Sequence, residues 1–380
     1  MSYSGGSIGA YGMGDCLRSA GFDVSFAFFG TKEEYEKKRN NSDFSVFLID
    51  EGSVQERRDH VAKLLEKLKP DLVWLHPLDM WDYFQPFAGL YPHVVMAGDP
   101  MDRIIRFRFK FSSDAAKYWF LRPILRILNN ISANKVLRKD SQVLREASVL
   151  GISSAYGPGD IQYHRHNSGA DIQLCELAFP DLGERKSYTG EKKFLLLGNL
   201  TTIHTRYGLD YFFKDIWPLW RKSILTNESE IRLVGAGKMS GRIKVPESQK
   251  GFRFVGFAES LEKEFEDTLA AIVTVPIDIG FRTRVIECWM KGIPVIMDSS
   301  SARGLPSVKD GYNCLIAKNA REFIQHAKQL LEDEALRSSI GKGGRETFLS
   351  VYHSFSPTSA KRYLHLVNSA KNKFQIKAKD

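Results

Sequence analysis

Cysteine is scarce in this 380-residue chain: Cys16, Cys175, Cys288 and Cys314 lie far apart and form no CxxC pair. That spacing argues against a zinc site and against a disulfide framework, and it suits a reducing compartment. No Asp-x-Asp occurs anywhere, so a carboxylate pair able to hold a divalent ion on a diphosphate is missing. Apolar runs are only a handful of residues long, too short to cross a bilayer. The opening MSYSGGSIGAYGMGD has neither the basic leader nor the apolar stretch of a signal peptide. These absences lead us to expect a cytoplasmic protein, soluble or peripheral on the inner face of a membrane.

What the chain does have is enough apolar mass for two domains. It is 43% hydrophobic with 25 phenylalanines, and 380 residues exceed what one core normally organises. Fifty-four Lys and Arg against 45 Asp and Glu leave a net charge of +9. That excess fits a nucleic acid, a phosphorylated ligand or an anionic membrane face.

Short apolar runs alternate with helical patterns. Strands are expected at 23–30, 44–50, 71–76 and 93–99 in the first half, and at 193–199, 230–237, 252–257, 270–276 and 293–299 in the second. Between them lie helical stretches such as 54–68, where Val61, Leu64, Leu65 and Leu68 recur at helical spacing. Such repetition predicts an α/β protein with two doubly wound, Rossmann-like domains facing a cleft. The polar segment 179–193 separates them, giving an amino-terminal domain over 1–185 and a carboxy-terminal one over 190–350. Helices are expected near 320–332 and 334–349. A last helix within 351–380 should return to the first domain and end in a basic tail. The glycines of 5–14 read as a loop entering a helix, which normally follows a buried strand. The first strand of that domain is therefore either absent or lies before the given start.

Residues just after parallel strands line ligand sites, and the stretch GFRTRVIECWMKG, 280–292, sits at such a place. A helix amino terminus prefers acidic neighbours, yet Arg282 and Arg284 stand there with Glu287 one turn further in. Arg284, Glu287 and Lys291 share a face by spacing, while Val285, Ile286, Cys288 and Trp289 point to the sheet. The plain alternative is a solvated charge stripe. Two arginines at an anion-binding helix start make better sense facing a nucleotide diphosphate, with Glu287 within reach of a ribose.

Residues 194–350 resemble the nucleotide-binding domain of GT-B glycosyltransferases, specifically the retaining group 1 family. FLLLGNL, IRLVGAGK, FRFVGF, VPIDIGFRTRVIECWMKGIPVIMDSSSARGL and DGYNCLIA occur in that family's order. The resemblance implies that Glu287 binds the donor ribose and that Arg282 and Arg284 stabilise its diphosphate. It also places Gly198, Gly235 and Gly280 where backbone approaches the donor. The family's phosphate-binding arginine and lysine positions are Asn199 and Tyr207 here, which leaves Arg206 as the nearest substitute. The family often has a second glutamate eight positions before its ribose-binding one, and this chain has Ile279 there. Retention of configuration follows from the resemblance, with the leaving phosphate assisting deprotonation of the acceptor. No metal is expected, because cationic side chains and a helix terminus would meet the leaving group.

In the first half, Asp99 follows a strand end. It reads equally as a carboxylate for an acceptor or sugar hydroxyl, which would give it a catalytic-site role, or as a local cap. Gly98 stands where the family often has a histidine. His76, after the strand LVWLH, and Gly6, in the glycine run, are the other acceptor-side candidates; His76 reads equally as a structural histidine. Segment 103–139 carries ten Lys or Arg and one acidic residue, interleaved with aromatics. That pattern suits nucleic acid, an anionic lipid surface, or a helix with solvated arginines and core aromatics. The membrane reading is preferred, with a glycan or polyprenyl-diphosphate-linked acceptor and a nucleotide-sugar donor, and no nucleic-acid partner. The expected function is glycosyl transfer in cell-surface or exopolysaccharide assembly. The rivals are an epimerase-like enzyme on the same fold and a basic nucleic-acid-binding protein.

Overall fold

The computed structural model describes residues 5–377 apart from 41–42, 50–51, 110–118, 187, 224, 236, 238–247 and 259. All nine expected strands form. In the first half these are β1 (Ser25–Phe29), β2 (Ser45–Ile49), β3 (Val73–Leu75) and β4 (His93–Met96). The sequence reading missed β5 (Ile152–Ala155) and β6 (Ile172–Leu174), which extend β3–β4 into a four-stranded parallel sheet. β5 escaped notice because its centre is two serines. Both are fully buried, Ser154 donating to Met96 Sδ and Ser153 bonding Ser148.

The second half builds one sheet in the order β13-β12-β11-β7-β8-β10-β9. Its strands are β7 (Lys193–Leu197), β8 (Glu230–Val234), β9 (Ser248–Gln249), β10 (Phe252–Gly256), β11 (Thr268–Val273), β12 (Val295–Asp298) and β13 (Leu315–Ala317). Every pairing is parallel except β9 on β10. Parallel strands need cover on both faces. Val285, Trp289 and Phe348 supply one side here, Phe212, Trp220 and Phe323 the other.

Two expectations are corrected at the amino end. The glycine run is helix, Gly5–Ser19, not a loop, so Gly6 lies in a helical first turn. Moreover, β1 and β2 pair with each other and not with β3 among the described residues. Between β1 and β3 lies a cavity of about 820 Å³ lined by Phe26, Phe28, Val46, Trp74, Met96 and Tyr156 among others.

Helix Val54–Leu68 begins with a capping box, Ser53 and Glu56 exchanging bonds, and ends in a left-handed Lys69. Helices Ala320–Glu332 and Glu334–Thr347 cover the second sheet. Helix Pro357–Lys377 then reaches back to first-half residues: Tyr363 accepts from the Ala178 amide and packs on Trp74, and Lys373 bonds the Ser148 carbonyl. All four cysteines are free and buried. No helix among the described residues is long and apolar enough to cross a membrane.

The segment joining the halves is anchored by Arg345. Its two terminal nitrogens each bond one Asp181 oxygen at 2.7 Å, and one also bonds the Met290 carbonyl at 2.8 Å. Burial pushes the Asp181 carboxyl up, but the Arg345 guanidinium holds it below the ordinary value. Arg345→Ala should therefore remove about 1.5 kcal/mol at neutral pH, the low end for hydrogen bonds to a charged group, because the pair is only partly buried. A lowered urea midpoint, with a smaller deficit as pH falls towards 3, is the expected result.

Candidate functional site

The carboxyl ends of β7, β8 and β11 converge on one place, and glycines let the backbone close up there. A side chain on Gly235 would put its Cβ 1.8 Å from the Gly198 carbonyl. The two strand ends can approach this closely only without one. Gly280 has φ +79°, and a Cβ on it would lie 2.8 Å from an Asp99 oxygen. Asp99 comes from just after β4, so this glycine is where the two halves of the chain meet. The Gly280 amide donates to both oxygens of Asp160, at 3.2 and 3.0 Å, across the same boundary.

Helix Thr283–Met290 rises from this loop with Val285, Ile286, Cys288 and Trp289 buried. On its open face, Arg284 donates to Thr205 Oγ1 at 3.1 Å, and its guanidinium lies against the backbone of Gly198. Burial, then the neighbouring Arg282 charge, lowers its pKa to about 10. Glu287, one turn on, is half-buried, and burial pushes its carboxyl up to about 7 against the pull of Arg284. Its carboxylate has no hydrogen-bond or ion-pair partner among the described residues, although a guanidinium stands one turn away. Lys291, expected on the same face, is instead buried and paired with Glu262 at 2.8 Å. Past the last turn it has rotated towards the linker, where it also bonds the Leu182 carbonyl.

Arg282 turns inward. It is the helix N-cap residue with φ −93° and ψ 64°, and its side chain turns back into the loop. Its terminal nitrogens donate to the carbonyls of Ile277, Ile279 and Gly280 at 2.7, 2.5 and 2.9 Å, and only 2% of the residue is exposed. Burial lowers its pKa, while the charges of Asp298, Asp160, Asp99 and Asp278 hold it up. Of the two arginines expected at a diphosphate, Arg282 holds the loop here, whereas Arg284 lies on the open side.

Arg206 is likewise engaged locally, its Nε donating to the Leu200 carbonyl at 3.2 Å. Tyr207, at the family's lysine position, packs edge-on against Phe107 of helix Met101–Arg108. Ile279, at the position of the family's first glutamate, is buried in the core. His76 stands at the cavity between β1 and β3, against Tyr156, and no contact joins it to the Asp99–Gly280 meeting point among the described residues.

Three residues that sequence reading passed over do reach that point. Asp160, at the start of helix Pro158–Ser168, has its carboxyl pushed to about 7 by burial and the Asp99 charge. Thr205 receives Arg284. His204, on helix Ile203–Tyr211, bonds the Ile279 backbone through its ring, and its Nε2 lies 3.7 Å from an Asp99 oxygen. That Nε2 is buried without a hydrogen-bond partner among the described residues. Burial and the Arg282 and Arg284 charges push the ring pKa down to about 3, so the imidazole is neutral. Asp99 is itself raised by burial, with Arg282 opposing. The weak signal for His204 was its place in the loop and helix start after a parallel strand, and Asp160 follows a Gly-Pro-Gly turn beyond β5.

Two parallel-sheet domains meeting at their strand ends define the GT-B fold, and known proteins agree. Residues 191–333 match the family described as glycosyl transferases group 1. HepE of Anabaena in complex with UDP-glucose is 11% identical and superposes with a TM-score of 0.67 over 95% of each chain. Sucrose-phosphate synthase from Thermosynechococcus elongatus is 15% identical, with a TM-score of 0.64 over 99% of this chain and 95% of its own. WaaG, a glycosyltransferase involved in lipopolysaccharide biosynthesis, is 10% identical with a TM-score of 0.52, covering 98% and 96%. No curated protein matches by sequence.

Glu287 gives this site a pH signature. Its folded pKa of about 7 lies above the ordinary 4.5, so the unfolded chain releases that proton first as pH rises. The group costs stability progressively from pH 4.5 to 7, and the cost is constant above. Glu287→Gln should accordingly raise the thermal midpoint fully at pH 8 and only slightly at pH 5. Equal shifts at both pH values would contradict the assignment.

Proposed function

We propose that this protein transfers a sugar from a UDP-sugar to a glycan or polyprenyl-diphosphate-linked acceptor, with retention, in cell-surface or exopolysaccharide assembly. The observation that carries the reading is the open face of helix Thr283–Met290. There Arg284 leans on the Gly198 backbone, and Glu287 presents a carboxylate without a hydrogen-bond partner one turn away. A diphosphate on Arg284 and the Gly198–Gly235 backbone would place ribose hydroxyls as donors to Glu287. The group 1 match and the UDP-glucose bound by HepE support this choice of donor.

In the reaction, the bond from the sugar C1 to the diphosphate oxygen breaks and the acceptor oxygen bonds to C1. The acceptor proton passes to a leaving phosphate oxygen. Arg284 stabilises the charge that develops there, so the reading requires no metal ion. Arg282 contributes from behind, fixing the loop whose Gly280 faces the reacting sugar. Asp99 and the His204 Nε2 lone pair face each other at 3.7 Å, two acceptors that a sugar or acceptor hydroxyl can satisfy. Because the two residues come from opposite domains, they meet only when the cleft is closed, which also keeps water from hydrolysing the donor. A cytoplasmic site with access to a membrane surface fits this chemistry.

A thermal-shift panel of UDP, GDP, ADP and dTDP tests the donor. Saturating UDP, at a hundred times its Kd, should add about 2.7 kcal/mol of stability, and Glu287→Ala and Arg284→Ala should abolish the shift. His204→Ala should keep the UDP shift while lowering turnover of UDP-sugar by about a hundredfold, within the usual range for a lost proton-handling or hydroxyl-binding contact. A shift with another nucleotide, or one untouched by Glu287→Ala, would contradict the reading.

A further inference from the structure

The longest helix of the chain, Arg122–Leu150, buries only part of its surface. Ala133 is fully buried, and Arg106 bonds Asn130 and Asn134 at 3.2 and 2.7 Å to hold the inner side. On the outer side, Ile124, Ile127, Leu128 and Ile131 are each 55–60% exposed. Their spacing, i, i+3, i+4 and i+7, makes one continuous stripe. Trp119, in the turn that leads into the helix, is 75% exposed.

The same stripe changes character one turn further on. Lys135 and Arg138 follow Ile131 at i+4 and i+7, and both are exposed. From Trp119 to Lys139 the chain has no acidic residue. Leaving four large aliphatic groups in water forfeits burial energy, and a contiguous stripe of this kind suits a docking face. A second copy of the chain would bring the same cations onto the same surface and repel. A nucleic acid would meet the cations but leave the aliphatic stripe wet. An anionic bilayer satisfies both parts, with apolar side chains at the acyl boundary and cations among the headgroups.

We propose that Trp119 and the Ile124–Ile131 stripe insert into an anionic membrane, with Lys135 and Arg138 on its headgroups. This extends the lipid-linked-acceptor part of the reading above and does not depend on the donor. It names the element that would bring the cleft to its acceptor: Arg106, which holds this helix, lies on the helix whose Phe107 packs against Tyr207 of the second domain.

Flotation with phosphatidylcholine vesicles, with and without phosphatidylglycerol, tests the proposal at low salt. Wild type should float with the anionic vesicles only. The double change Ile127→Asp with Ile131→Asp should leave the protein in solution. Lys135→Gln with Arg138→Gln should weaken binding about thirtyfold, roughly fivefold for each cation near a charged surface. Every variant should retain its wild-type thermal shift with UDP, which separates a failure here from a failure of the donor reading. Trp119 provides a check on unaltered protein: its emission should shift to the blue on anionic vesicles, a change lost in Trp119→Phe. Folded wild type that ignores anionic vesicles would overturn the proposal, as would equal flotation of the Asp variants. A mass that rises with concentration, and falls back in the Asp variants, would assign the face to a second copy instead.

Discussion

The cleft depends on one buried charge. Arg282 is almost wholly out of solvent, and an unpaired guanidinium there would cost several kcal/mol. Three carbonyls of the 277–280 loop take its terminal donors, and four carboxylates, from Asp99, Asp160, Asp278 and Asp298, set the surrounding field. Those aspartates come from both halves of the chain. The charge therefore fixes the loop, and through the Gly280 amide and Asp160 it fixes how the loop meets the opposite wall.

Everything nearby is tuned by that arrangement. The Arg282 charge helps keep His204 neutral and lowers Arg284, while the uncharged Nε2 of His204 is left facing Asp99. Glu287, further along the helix, is raised by its own burial and feels only Arg284. The result is a division between a structural cation below the surface, bonded to loop carbonyls, and a cation and a carboxylate above it that stand one helical turn apart without pairing. A site of this kind is preorganised: its dipoles are held by the protein before any ligand arrives.

Much of this was legible in the residues, and the failures have physical causes. Strands rich in Val, Ile, Leu and Phe announced themselves, whereas β5 hid behind buried serines and β6 and β13 are only three residues long. The glycines of 5–14 read as a loop entering a helix, but Gly12 and Gly14 are buried positions on the helix itself, where the missing side chains allow close packing. Glu287 and Arg284 share the helix face that spacing at a strand end assigned to them. Arg282, two residues earlier, sits where the backbone is not yet helical, so spacing could not say which way it turns. His204 and Asp160 matter through contacts across the cleft, at which their places beyond strand ends hint only weakly.

The most direct test is a crystal structure of the protein with UDP. The account predicts phosphate oxygens within hydrogen-bond distance of Arg284 and the backbone at Gly198 and Gly235, ribose hydroxyls on Glu287, and Arg282 still bonded to its three loop carbonyls. UDP bound away from helix Thr283–Met290, or Arg282 swung out onto the phosphates with the loop remodelled, would contradict it.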